Sequence, residues 1–294
     1  MRLATGPVTW GVDFADAPSN PPWELVLDEI AASPVDALEL GPVGYLPEDP
    51  RQLREALDSR SLLAVGSFIF DDLHDQARQR QVLAVAERAS RAIAAAGGRV
   101  LVIIDRPSPQ RVATAGRGAD AERLSTAGWE QLMETIAAVA EVARGHGLRG
   151  AVHPHAGGYL EFEDELERLL SETDFELCID TGHLAYAGAD PAAALRRAGD
   201  RVAHVHLKDI DALVLDQVRA ERLDFWTAIE RRIFCPLGAG IVDLDDVRRA
   251  LEEIGYEGYV TIEQDRVPGS GSPLEDLAAS VAVLGELPRG AVSE

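Results

Sequence analysis

A closed (β/α)8 barrel, α/β in class and built as one domain over residues 1–294, is the fold this sequence predicts. Three observations predict it. Short β-type apolar runs alternate with longer segments whose apolar residues recur at helical spacing, and seven or eight such units can be counted. With 294 residues and 46% hydrophobic content the chain can bury one large core of the size these barrels have. No Gly-rich dinucleotide fingerprint opens an early helix, which disfavours an open doubly wound sheet; Gly238-Ala239-Gly240 is a weak pattern with no strand running into it.

In chain order, residues 7–12 are the expected first strand, and 22–32 form a helix with Leu25, Val26 and Ile30 at helical spacing. The second strand, 37–40, carries Glu39 at its end, with Gly41 following. The third covers 62–68, and the helix over 74–95 after it stops at Gly97-Gly98, a typical helix exit. After the fourth strand, 100–104, the stretch 105–126 is rich in Pro, Gly, Ser and Ala and is expected to be irregular, either an active-site lid or a solvated connector. The helix over 129–145 lines up Leu132, Ile136, Val139 and Val142 and leads to the fifth strand, 148–152. A helix over 162–170, a strand over 175–179, a helix over 190–198 and a strand over 202–205 follow. The charged segment 211–232, with Phe225 and Trp226, is expected to be helical and to lie over the barrel mouth. A helix over 244–254, the last strand over 259–263 and a helix over 274–284 close the chain.

Charge and cysteine usage narrow the functional classes. A formal net charge of −22 repels a phosphate backbone, and no arginine-rich cluster with interleaved aromatics offsets it, so no nucleic-acid partner is expected. The two cysteines, Cys178 and Cys235, form no CxxC motif or disulfide framework. The start of the chain lacks the order of a signal peptide, and no run of about 18 apolar residues follows. A soluble, cytoplasmic protein with no membrane partner is the expectation.

The chemistry concentrates between Leu148 and Asp209. Three apolar runs there end in His153-Pro154-His155, in Asp180-Thr181-Gly182-His183 and in His204-Val205-His206-Leu207-Lys208-Asp209. Five of the seven histidines lie in this stretch, as does Lys208, the only lysine of the chain. A barrel brings its strand ends to one face, so His153, Asp180, His206 and Glu263 would meet there. A single strand-end histidine is ordinarily a hydrogen-bonded structural group. Such groups on four separate strands point instead to a metal site. Two imidazoles and two carboxylates suit one divalent ion, Mn2+ or Co2+ first, with Zn2+, Fe2+ or Mg2+ as alternatives, better than Ca2+.

Several motifs add a resemblance covering nearly the whole chain. Asp180-x-x-His183, the His204-x-His206 pair with Leu207-Lys208-Asp209, the turn Pro236-Leu237-Gly238-x-Gly240-x-x-Asp243 and Ile262-Glu263-Gln264-Asp265 resemble the xylose-isomerase-like superfamily of sugar isomerases, epimerases and dehydratases. Pro7-Val8-Thr9-Trp10-Gly11, Glu39-Leu40-Gly41 with Pro47-Glu48-Asp49-Pro50, and the His-Pro-His-Ala-Gly over 153–157 are most similar to its inosose dehydratase branch. The resemblance implies a divalent metal at Asp180, His206, Glu263 and the fifth-strand end, a polyhydroxy ketone such as 2-keto-myo-inositol as substrate, and a small homo-oligomer.

The sequence departs from the superfamily at His153, where many epimerases and isomerases have a glutamate. Epimerisation returns a proton from the opposite face and is served by two opposed acid/base groups, whereas elimination needs one base beside the ketone and an acid for the departing hydroxyl. An imidazole in place of one carboxylate therefore tilts the expectation toward dehydration. Glu263 or a nearby histidine would take the proton; His183 and His155 would orient a hydroxyl or act as acid. Lys208 would bind an oxyanion or pair with Glu39 or Asp209. Trp10 and Phe14 would form a wall for the ring, unless they belong to the core, and Glu39 and Arg266 are further substrate-binding candidates. A ketose epimerase or isomerase is the alternative function, followed by elimination from 3-keto-glycosides, which needs an open pocket for the aglycone. A non-catalytic sugar-binding barrel would show a damaged ligand set.

Overall fold

A computed structural model describes residues 2–285, so residue 1 and residues 286–294 of the expected domain lie outside the described residues. The barrel strands are β1 (Arg2–Ala4), β2 (Ala37–Glu39), β3 (Leu63–Asp71), β4 (Val100–Asp105), β5 (Arg149–Val152), β6 (Glu176–Asp180), β7 (Val202–Leu207) and β10 (Tyr259–Ile262). A separate antiparallel ribbon pairs β8 (Asp209–Ile210) with β9 (Phe234–Cys235). The eight barrel strands lie in the order β1-β10-β7-β6-β5-β4-β3-β2, all parallel. Thr5 closes the circle: its N–H donates to the Ala37 carbonyl at 3.1 Å, and its own carbonyl accepts from the Glu39 N–H at 2.8 Å. The predicted barrel is therefore the observed one.

Two hydrophobic layers hold it. Inside the barrel, Val8, Phe68, Val102, Ile104, Ala151 and Cys178 pack together. Outside, the helices lay apolar stripes on the strands, as where Leu132, Ile136 and Val139 of the helix Thr126–Gly145 are fully buried. Truncating Ile136 to alanine would cost about 2–5 kcal/mol through lost transfer energy and a cavity. Among the described residues no helix is long and apolar enough to cross a membrane.

Beyond the helix Thr181–Ala187 and the β8–β9 ribbon, where no element is expected from the sequence, three features differ from the expectation. Residues 7–12 are not a strand. Pro7 has no N–H for a ladder and a φ suited to the first helical position, so Pro7–Trp10 forms a 3-10 turn and the first strand lies earlier. Gly11 ends that turn at φ +83°, where a Cβ would come within 2.8 Å of the Arg266 carbonyl oxygen. Second, a helix that the sequence pattern does not predict, Pro50–Asp58, lies between the second and third strands. It is strongly charged and buries only Leu53, Ala56 and Leu57, so its apolar signal is thin, although Asp49 caps it and Pro50 starts it. Third, the stretch 105–126 holds a short helix, Pro109–Val112, capped by Ser108. The segment 211–232 is helical as expected, over Ala212–Glu221 and Phe225–Glu230.

Candidate active site

Strand β7 sets the geometry. Alternate residues of a strand share a face, so His204, His206 and, just past the strand end, Lys208 can all project to the interior, at increasing height. His204 and His206 both use Nε2 toward Glu39 Oε1, each at 2.8 Å, and His204 Nε2 also lies 3.0 Å from Thr261 Oγ1. Glu39 is fully enclosed. Burial works against its charge, but His206 and His204 overcome it and hold its carboxyl well below the usual carboxylate range.

With Nε2 committed to Glu39, His206 presents Nδ1 upward. That nitrogen is buried without a hydrogen-bond partner and lies 3.2 Å from Glu263 Oε2 and 3.6 Å from Asp180 Oδ2. Asp180 divides its carboxylate between two tasks. Oδ1 caps the helix Thr181–Ala187, accepting from the Gly182 and His183 amides at 2.8 and 2.9 Å, while Oδ2 faces His153 Nε2 at 3.4 Å. Ligand atoms of Asp180, His206 and Glu263 lie within 4.8 Å of one another, and those of His153, Asp180 and His183 form an adjoining set of the same tightness. An orphaned imidazole nitrogen between two carboxylate oxygens fits a divalent cation, and the mixed nitrogen and oxygen donors suit a transition ion. The Glu39 carboxylate behind His206 supplies the partner that fixes a ligating ring and its tautomer.

Lys208 lies across this group, with Nζ at 3.2 Å from Asp180 Oδ2, 3.0 Å from Glu263 Oε2, 2.9 Å from Asp265 Oδ1 and 3.1 Å from His183 Nε2. Burial opposes its charge, but Asp180, Asp265 and Glu263 outweigh burial and hold its pKa well above the usual ammonium range. Gly182 makes room for it, since a Cβ there would lie 2.4 Å from the Lys208 Cβ. His155 and His183 stack at 3.9 Å between ring centroids. Burial, reinforced by His183 for the one and by Lys208 for the other, pushes both imidazoles well below the usual histidine range, so both are neutral near pH 7.

These groups face one small cavity. Val8, Phe68, Phe70 and Ile104 make its apolar side, and Asp13, His153, His155, His206, Lys208, Glu263 and Asp265 its polar side. Phe14 sits half-exposed against Phe70 at 5.6 Å, and Phe70 reaches His155 at 5.3 Å, so an aromatic edge leads inward. Phe225 packs on His155 and His183 at 5.7 and 5.9 Å, which brings the 211–232 segment to the site.

Four expectations change. Trp10 is no ring wall: it lies in the outer core, its indole N–H donating to Glu29. Glu39 lies beneath the histidines and outside the cavity lining. Arg266 is spent on Asp276 Oδ2 at 2.9 Å and the Ser270 carbonyl at 3.2 Å. Lys208 pairs with neither Glu39 nor Asp209; Asp209 instead accepts from the Gly238, Gly240 and Val242 amides at 2.9, 3.0 and 3.0 Å and holds that turn. The apolar lining, Phe68 and Phe70 included, and two acidic cavity residues are not among the site residues expected from the sequence. Asp265 was findable, lying two residues beyond Glu263. Asp13 directly follows the run 7–12 expected as the first strand, so the same strand-end rule points to it.

The chain is similar over nearly its whole length to known proteins. An inosose dehydratase of Geobacillus kaustophilus is 29% identical over 282 residues, covering 93% of this chain and 90% of that protein. One of Clostridium beijerinckii is 27% identical, covering 94% and 93%. Among solved structures, a zinc-bound IolI protein superposes with a TM-score of 0.72 at 15% identity, covering 97% of this chain and 98% of that one. A probable 3-DHS dehydratase, AsbF of Bacillus anthracis, gives 0.73 at 16% identity with the same coverage. Residues 27–287 match the family described as xylose isomerase-like TIM barrel, and the chain belongs to that family.

Proposed function

We propose that this protein is a divalent-metal-dependent dehydratase that removes water from a keto-cyclitol such as 2-keto-myo-inositol. The observation that carries the reading is the make-up of the strand-end cluster: His153, His206 and Glu263 line one small cavity and Asp180 lies beside them, with an imidazole where an opposed carboxylate would serve epimerisation. The inosose dehydratases similar along almost the whole chain support it.

A divalent ion held by His153, Asp180, His206 and Glu263 would supply Lewis acidity toward the ketone oxygen, with Mn2+ or Co2+ suited to this donor set. The chain's own groups do the rest. Glu263, its carboxyl held low by His206 and Lys208 against burial, takes the proton beside the ketone. His155 and His183, neutral and stacked, orient ring hydroxyls. Lys208 balances the negative charge of Asp180, Glu263 and Asp265, so that an electron-rich substrate is not repelled. Phe68 and Phe70 lie against the apolar face of the ring and exclude water.

The test is incubation of the Mn2+- or Co2+-loaded protein with 2-keto-myo-inositol, followed by mass spectrometry and ultraviolet absorbance. The expected product is lighter by one water and absorbs as a conjugated ketone. A product of unchanged mass with inverted stereochemistry would replace the reading by epimerisation.

A further inference from the structure

Three carboxyl groups line the cavity, Asp13, Glu263 and Asp265, with Asp180 directly beside it, and three of these four are committed. Asp180, Glu263 and Asp265 each lie within 3.2 Å of Lys208 Nζ, so one ammonium is shared among three carboxylates. Asp13 is the fourth. Among the described residues it has no ion-pair partner and its side chain makes no hydrogen bond, although it lines the same cavity as Glu263, Asp265, His155 and Phe70. On its outer side it borders a groove shared with Asp16 and Asp71.

Its position is set by the backbone rather than by a side-chain contact. Gly11, at φ +83°, brings the loop against the segment after β10 so closely that a Cβ would lie 2.8 Å from both the Arg266 oxygen and the Pro268 nitrogen. Val12, next in the chain, is fully buried. Asp13 is thus delivered to the cavity by a fixed turn, half-buried and without a protein partner among the described residues. Enclosure pushes its pKa up to about 7, Asp265 and Glu263 adding to the rise and Lys208 opposing it.

Resting on the dehydratase reading, we infer that Asp13 is the acid of the reaction, giving its proton to the departing hydroxyl. Glu263 takes the proton from the carbon beside the ketone. The electron pair of that C–H bond becomes the carbon–carbon double bond. The neighbouring C–O bond breaks with its pair on oxygen, which takes the Asp13 proton and leaves as water. Asp13 ends as a carboxylate and Glu263 as an acid, and one proton returned through solvent from Glu263 to Asp13 resets both. Asp180, Glu263 and Asp265 already share the Lys208 ammonium, which leaves Asp13 as the cavity carboxyl without an ion-pair partner among the described residues.

The experiment separates the two proton transfers. Metal-loaded wild type, Asp13→Asn and Asp13→Glu are incubated with 2-keto-myo-inositol in deuterated water. Exchange at the carbon beside the ketone is read by NMR, water loss by mass spectrometry, and metal content by elemental analysis. Asp13→Asn should keep its metal and exchange within about threefold of wild type while dehydration falls about 100-fold or more, and Asp13→Glu should regain part of the loss. An equal fall in both rates, or undiminished dehydration, overturns the assignment. If wild type neither exchanges nor dehydrates, the proposed substrate is what fails, and Asp13 is then judged by calorimetric binding of myo-inositol. Contact with a hydroxyl predicts about tenfold weaker binding by Asp13→Ala, and unchanged affinity overturns it.

Discussion

The cavity cluster and the cluster around Arg111 are both buried groups of charge, and they are built on opposite principles. Arg111 is fully enclosed beneath the 105–126 stretch, and its guanidinium meets Glu165 at 2.6 and 3.0 Å and Glu161 at 3.4 Å. The acids are satisfied in turn: Glu161 accepts from the Gly116 and Gly157 amides at 2.6 and 2.9 Å, and Glu165 from the Glu161 and Phe162 amides at 2.8 and 3.0 Å. Those bonds tie the 105–126 stretch to the loop after β5 and anchor it to the barrel, with both terminal guanidinium nitrogens paired and Arg111 Nε alone left over. In the cavity cluster, donors and acceptors do not close on one another. His206 Nδ1 and His153 Nδ1 are left over, and the half-buried Asp13 has no side-chain partner among the described residues. Buried charge that satisfies itself holds structure, while buried charge that leaves atoms converging on a space is prepared for a ligand.

Variants can break that contrast. The largest effect is expected from Arg111→Met, which strands two buried acids and should cost about 3–5 kcal/mol, lowering the melting temperature by roughly 10 °C. Metal content of the folded protein should stay as it was. Loss of metal together with stability would show the two clusters to be one system. Next comes His206→Ala, for which metal affinity and turnover should fall by more than about 100-fold while the circular dichroism spectrum and melting temperature of the apoprotein stay close to wild type. A destabilisation matching that of Arg111→Met would make the cavity cluster structural after all. The smallest of the three is Glu39→Gln. It keeps the shape but weakens the charge-assisted bonds that orient His204 and His206, and metal affinity by competition titration should drop about 10- to 100-fold. Unchanged affinity would mean that the His206 ring is held by packing alone.

What the sequence determined by itself follows from short-range periodicity. Alternating strand and helix patterns announced the barrel, and a barrel has only one face where strand ends carry chemistry, so His153, Asp180, His206 and Glu263 could be grouped before any coordinates. The helix over 211–232 was legible for the same reason. Where the local signal was thin or ambiguous the reading failed: the charged helix Pro50–Asp58 shows few apolar residues, and the Val-Thr-Trp run after Pro7 has strand composition in a place where proline imposes a turn. Partner choice was beyond the sequence altogether. That Trp10 points to Glu29, that Arg266 is spent on Asp276, that Glu39 holds two histidines from below, and that Asp13 alone among the cavity acids lacks a cation are matters of distance between residues far apart in the chain. Periodicity tells which face a side chain is on, but hydrogen bonds and ion pairs act over about 3 Å, and only the closing of the barrel brings the partners within that range.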